Sequence, residues 1–207
     1  MFPLYDENRP TKMSFITIGL IFLNVLIFIF VFQNIDVVIL QFGLIPEKII
    51  SGKNFWTLIT SIFLHSGGIH LIGNMWFLWV FGNNLEAAMG RIRYLFFYLI
   101  CGILAGGFYC LLSPEKTIPV VGASGAISGV LGGYFILFPH HKIKSLVPIF
   151  IFLTIISVPA IVFLVIWVLF QVFLPEAGVA TVAHLIGFLA GLLLVNLFKS
   201  DKIKKKR

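Results

Sequence analysis

Gly122-Ala123-Ser124-Gly125 stands at the head of one very apolar stretch of the chain, and His184 stands near the start of another. A lone serine hydroxyl is a poor nucleophile and needs a base to take its proton, a task that imidazole performs near neutral pH. Polar side chains are expensive at membrane depth, so their presence there points to function. A serine and a histidine that met in that layer would have the nucleophile and the general base for peptide-bond cleavage through an acyl intermediate. No Asp or Glu lies within the apolar stretches near that layer, so the carboxylate that usually orients a catalytic histidine has no candidate and the pair reads as a dyad. His70 and Asn74 fall at i and i+4 on one helical face of a third apolar stretch. With the backbone N–H of Ser124 they would serve the negative charge that develops on an attacked carbonyl.

Composition sets the elements that must position these groups. Of the 207 residues 59% are hydrophobic and 11% charged, with a mean hydropathy of +1.06, which is outside what a soluble domain carries on its surface. The fold class expected is all-α, a polytopic membrane protein with six transmembrane helices. About 20 apolar residues cross roughly 30 Å of hydrocarbon, and six such spans can be drawn at residues 14–32, 63–81, 94–112, 120–138, 146–173 and 182–198. The fifth is longer than required and contains Pro159, so a kink, a tilt or an interfacial end is expected there. The division is a cytoplasmic segment at 1–13, a membrane domain at 14–198 and a basic cytoplasmic tail at 199–207. The first span lacks a small-x-small cleavage site after it and reads as a retained anchor.

The formal charge of +7 invites a nucleic-acid reading, but the Lys and Arg residues sit in short clusters between apolar segments and form no stripe interleaved with aromatics. Topology explains them. With both termini in the cytoplasm, Arg9, Lys12, Arg91, Arg93, Lys142, Lys144, Lys199, Lys202, Lys204, Lys205, Lys206 and Arg207 lie inside, against Lys48, Lys53 and Lys116 outside. Spans two, four and six then descend from the outer face, and each carries its unusual polar residues near the top: His70 and Asn74, Ser124, and His184. Cys101 and Cys110 lie nine residues apart in one span, about 13 Å along a helix, too far to bridge.

These residues resemble the rhomboid family of intramembrane serine proteases in its basic six-helix form. The matching pieces are Phe63-Leu64-His65 with His70-Leu71-Ile72-Gly73-Asn74, Glu86 with Gly90 and Arg91, Gly122-Ala123-Ser124-Gly125, and Ala183-His184-Leu185-Ile186-Gly187 with Gly191, together covering about residues 54–196. The resemblance implies Ser124 as nucleophile, His184 as base and then acid, and His70, Asn74 and the Ser124 amide as the oxyanion hole. Gly122 would keep the backbone approachable, while Gly125, Gly187 and Gly191 would let span six pack against span four. Residues 33–62 would form a large outer loop, 174–181 a cap over the site, and span five a lateral gate. The implied partners are single-pass transmembrane substrates and membrane lipids, in a prokaryotic plasma membrane, with no nucleic acid.

Two positions depart from the family pattern. Trp56-Thr57 stands where the family usually has Trp-Arg, and Ser128 stands one turn below the nucleophile, where an aromatic that stacks on the histidine is common. Imidazole orientation must then be held differently, and a hydrogen bond from Ser128 is one means. Plainer readings accompany each signal: Gly122, Ala126, Gly129 and Gly133 also form a small-residue packing face, His65 is a loop histidine, and His140 and His141 belong to a solvated cytoplasmic turn. His65 and His70 lack the Glu of a zinc-protease helix, so neither metal nor cofactor is expected. The competing functions are a catalytically inactive scaffold that binds transmembrane segments for quality control, and a transporter, which would require an internal repeat that the chain lacks.

Overall fold

The structure, a computed structural model, describes residues 1–149, 152–174 and 180–200. It is mostly helical. Helix α1 (Phe15–Val31) continues through a short 3-10 turn into α2 (Ile35–Phe42). The connection from α2 to the next long helix then forms α3 (Pro46–Ile50) and α4 (Thr57–Thr60). Helices α5 (Gly68–Met89) and α6 (Arg91–Leu112) are separated by Gly90 alone, whose φ of 82° lies in the left-handed region that a side chain disfavours. The central helix α7 (Ser124–Leu137) is followed by strands β2 (Lys142–Ile149) and β3 (Phe152–Pro159), then α8 (Ala160–Phe173) and α9 (Thr181–Phe198). The stretch Phe15–Phe42, α6 and α9 are long and apolar enough to cross a membrane, whereas α7 and α8 are shorter apolar helices. At 14 residues each of those two spans about 21 Å.

Burial identifies α7 as the axis of the bundle: every residue from Gly125 to Tyr134 is buried. Tyr94, Phe97, Tyr98 and Cys101 of α6 and Leu78, Phe81 and Leu85 of α5 pack in the same core. Large apolar side chains such as Phe30, Ile69 and Leu193 face outward at 79%, 91% and 78% exposure, the distribution expected when lipid is the solvent. Helix α1 is held by an interhelical cap. Glu86 of α5, itself buried, accepts the amides of Ile16 and Thr17 at 3.0 and 2.8 Å and the Thr17 hydroxyl at 2.9 Å. First-turn amides of a helix have no partner within it, and a carboxylate there also meets the positive end of the helix dipole.

The fifth expected span needs correction. Residues 146–149 and 152–159 are not helical: β2 and β3 pair antiparallel with Lys142 opposite Pro159 and Leu146 opposite Ile155, and α8 begins only at Ala160. The run Thr154-Ile155-Ile156 with Val147 and Val158 is β-branched, which favours a pleated surface over a helix. Pro148 and Pro159 would each remove an internal helical hydrogen bond, and Pro159 instead stands immediately before the new helix.

The amino-terminal segment completes that sheet. Strand β1 (Phe2–Asp6) pairs antiparallel with β2, giving the order β1-β2-β3. Its Asp6 is 1% exposed and accepts hydrogen bonds from Asn84 Nδ2 and the Tyr134 hydroxyl, with His141 Nδ1 at 3.3 Å. His141 is therefore half-buried in a polar network rather than solvated, since a buried carboxylate requires donors and the adjoining turn supplies one. Trp76 of α5 donates to the Pro3 carbonyl at 2.6 Å, which fixes the strand along that helix. Lys199 and Ser200 are the described part of the basic tail. Lys202, Lys204, Lys205, Lys206 and Arg207 lie outside the described residues, as do 175–179 of the expected cap.

Candidate active site

Backbone contacts between α7 and α9 set the site. A Cβ built on Gly187 would collide with the Gly125 carbonyl oxygen, one on Gly191 with the Gly129 carbonyl oxygen, and one on Gly132 with the Phe188 carbonyl oxygen. The two helices thus touch main chain to main chain, an approach that only glycine permits. Gly125 has the Ala105 side chain of α6 on its other side, where an added Cβ would lie 2.8 Å from the methyl carbon. This crossing brings Ala183, the neighbour of His184, into the lining of the same small cavity as Ser124 and Gly125.

Ser124 is the first residue of α7, so its amide is among the first-turn N–H groups with no partner inside the helix. The segment entering it is pinned by the connection between α2 and α5. Leu44 and Val120 exchange backbone hydrogen bonds at 2.9 and 2.8 Å, and the Gly122 amide donates to the Ser61 carbonyl at 2.9 Å. Gly122 has φ 129°, outside what a side chain readily adopts. A Cβ placed on it would lie 2.8 Å from His70 Nε2, 2.9 Å from His70 Cε1 and 3.7 Å from Asn74 Nδ2. The bare Gly122 backbone therefore leaves both α5 side chains against the entrance to the nucleophile's helix.

The donors of that pair are free. Asn74 is 8% exposed and its Nδ2 has no hydrogen-bond partner. His70 Nδ1 lies 3.1 Å from the exposed Ser66 hydroxyl, and when Nδ1 accepts from that hydroxyl, Nε2 carries the proton on the Gly122 side. His65 is 1% exposed, sits edge-on to the His70 ring at 5.1 Å, and has no partner at either ring nitrogen. It is a loop residue, as expected from the sequence, and is buried against His70.

Ser128 does not take over the imidazole. Its hydroxyl donates to the Ser124 carbonyl at 2.7 Å, one turn back in α7. His184 Nδ1 instead lies 3.0 Å from Gln171 Oε1 of α8, and the Trp167 ring lies 6.2 Å from the imidazole at an interplanar angle of 32°. Sequence reasoning passed over Gln171, although it is the sole amide in the otherwise apolar run of α8. No hydrogen bond joins the Ser124 hydroxyl to His184, the looser geometry that unliganded sites often have. The cavity beside Ser124 is lined by Ser61, Gly122, Ala126 and Ala183 among others and measures about 30 Å³, room for a water molecule. Thr57, in the place of the usual Arg, is buried and closes its own turn by donating to the Asn54 carbonyl at 2.7 Å.

Comparison with known proteins agrees with this geometry. A family profile described as Rhomboid domain matches residues 52–200. "Putative rhomboid protease YdcA" of Bacillus subtilis is 30% identical over 163 residues, 75% of this chain and 73% of that protein. "RHOMBOID-like protein 4" of Arabidopsis thaliana is 38% identical over 155 residues, 73% of this chain and 36% of its own length. "Rhomboid protease GluP" of Bacillus subtilis is 38% identical over 94 residues, 45% of this chain and 18% of that one. The chain belongs to the rhomboid family, a membrane-embedded class whose members among these relatives include proteases. For the mitochondrial "RHOMBOID-like protein 6" of Arabidopsis the match takes in 27% of the relative's length, so the chain spans roughly a third or less of several relatives.

Proposed function

We propose that the chain is an intramembrane serine endopeptidase that cleaves transmembrane segments of membrane proteins near the outer face. The observation that carries this reading is the convergence on one backbone turn. Gly122 at φ 129° lets His70 and the unpartnered Asn74 amide flank the entry to Ser124, while the glycine crossing brings Ala183 of α9, the neighbour of His184, to the cavity that Ser124 lines. In the reaction Ser124 Oγ attacks the scissile carbonyl and His184 takes its proton. The oxyanion is stabilised by the Ser124 amide, His70 Nε2–H and Asn74 Nδ2–H. His184 then protonates the departing amine, and a water it activates releases the acyl group.

The architecture that goes with this reading has α1, α5, α6, α7, α8 and α9 as six membrane-crossing helices around α7, with residues 1–13 and 199–207 on the cytoplasmic side. The outer connection and the cap then flank the site. The substrate is a single-pass segment that opens its helix locally, with small residues at the cut by analogy with the family. The setting is a multi-pass protein of the cell membrane, with lipids as its other partners and no nucleic acid. Covalent labelling of the detergent-purified protein with a fluorophosphonate serine probe tests the chemistry, using Ser124→Ala and His184→Ala as controls and mass spectrometry to locate the adduct. Labelling at Ser124 that disappears in both variants is the expected result. A folded wild-type protein that binds transmembrane peptides and takes up no probe would instead be an inactive rhomboid scaffold.

A further inference from the structure

Helix α8 has the sequence AIVFLVIWVLFQVF, with Gln171 as its one amide. An amide in an apolar helix is costly unless hydrogen-bonded, so its partner is informative. The helix is fixed at its start. Ala160, Phe163 and Leu164 are its buried residues, and the amides of Ala160 and Ile161 donate to the carbonyls of His141 and Pro139 at 2.8 and 3.0 Å. Eleven residues on, about 16 Å along the axis, the surroundings are open: Leu169, Phe170, Val172 and Phe173 are all exposed. The outer half of α8 meets α9 through the Trp167 ring, which lies near His184 and Phe188, and through Gln171, which bonds His184.

We propose that Gln171 is a positioning residue for the reaction proposed above: its Oε1 accepts the Nδ1–H of His184, leaving the Nε2 lone pair for the Ser124 proton and tying that tautomer to the seated position of α8. The argument is one of valence. A neutral imidazole carries one N–H, and the acceptor that binds it decides which nitrogen is left basic. Ser128 has already given its hydroxyl to the Ser124 carbonyl, so the amide oxygen of α8 fills the orienting place that a carboxylate or a stacked aromatic would otherwise take. Displacement of the outer end of α8 breaks the bond and frees the ring, so the base is set only when the helix is seated. The titratable group acting on the charge of His184 is His70 of α5. The adjacent parts of α7 and α8 carry the neutral Ser124, Ser128, Trp167 and Gln171.

The inference rests on the Ser124–His184 reading, and a paired measurement separates the two. The full chain with ¹⁵N-labelled histidine in detergent micelles gives the His184 tautomer by NMR, assigned with His184→Ala, while fluorophosphonate labelling at Ser124 gives the rate. Wild type is expected to hold the proton on Nδ1. Gln171→Met is expected to populate both tautomers and to label about tenfold more slowly, the scale of one lost hydrogen bond. Gln171→Glu, which keeps the acceptor, is expected to label within about twofold of wild type at high pH. Its acid limb moves upward by about one pH unit, because a carboxylate beside the ring favours the imidazolium; restoration of both the rate and the Nδ1–H tautomer by this acceptor, which Gln171→Met lacks, is the result that a purely structural role would not give. A wild-type His184 protonated on Nε2, or a Gln171→Met protein unchanged in both tautomer and rate, overturns the proposal. An Nδ1–H tautomer that Gln171→Met disturbs in a wild-type protein that never labels would uphold the bond and sink the protease reading alone.

Discussion

Replacing Gly122 by Ala tests whether the turn before Ser124 is shaped around His70. Two costs act together. The φ of 129° is disfavoured for a residue bearing Cβ by about 1–2 kcal/mol. The new methyl would also lie 2.8 Å from His70 Nε2; an ordinary contact begins at about 3.4 Å, so the ring must retreat by roughly 0.6 Å. An oxyanion donor displaced by that much forfeits most of its effect, and loss of one such donor costs about 10²–10³ in rate. The expected Gly122→Ala protein is folded, melts a few degrees lower and labels with fluorophosphonate about 10²-fold more slowly. Attribution to His70 is checked by a cycle with His70→Ala, which removes the obstructing ring. If the collision is the cause, the double variant labels no more slowly than about threefold below His70→Ala alone, since contacting residues are non-additive. A Gly122→Ala protein that labels at the wild-type rate, or a fully additive cycle, refutes the reasoning.

The remaining predictions concern the frame. Gly191→Val places a side chain on the Gly129 carbonyl and should cost about 1–3 kcal/mol by overpacking. It should also slow labelling, because α9 carries His184, whereas Leu193→Val on the exposed side of α9 should leave both within about twofold; denaturant unfolding and probe kinetics check this. Glu86→Ala strands the amides of Ile16 and Thr17 and the Thr17 hydroxyl. It should lower unfolding stability by on the order of 3 kcal/mol, with faster hydrogen exchange confined to the first turn of α1 and with Glu86→Gln intermediate.

The membrane class and the helices that carry the site could be read from the chain because hydrocarbon imposes a length and a composition on whatever crosses it. Bounds at α6 and α9 follow the expected spans within a few residues, as their apolar runs end at Arg91 and Lys199. Residues 146–149 and 152–159 depart from the expected span for a related reason. Hydropathy measures burial in lipid and is blind to backbone type, so a β-branched hairpin and a helix score alike, and the two prolines were the signal that distinguished them. Ser124, His184, His70 and Asn74 stand out as candidates in the sequence because polar side chains are conspicuous among apolar ones. Gln171 was just as conspicuous and went unused because no motif named it. Asp6 could not be found, since an acidic residue in a polar amino-terminal segment reads as solvated until pairing in the sheet buries it.

The two ends of α8 are held by chemistry of different kinds, and that difference gives the helix a direction of movement. At the Ala160 end, the His141 carbonyl takes the first amide of α8 while the His141 ring approaches the buried Asp6 at 3.3 Å, and Asp6 is bonded in turn to Asn84 of α5 and Tyr134 of α7. Breaking one member of such a buried network leaves a charge or a donor without a partner, which is strongly unfavourable. Towards the Phe173 end, among the described residues, one hydrogen bond and the contacts of the Trp167 ring with His184 and Phe188 hold the helix, and the hydrogen bond contributes about 1 kcal/mol net. Thermal displacement of α8 should therefore pivot about Ala160 and be largest at Phe173, two residues beyond the Gln171 that bonds His184. Under the proposed function, an opening of α8 wide enough to admit a transmembrane segment would also release the imidazole. The base would be re-formed only when the helix closes over its substrate.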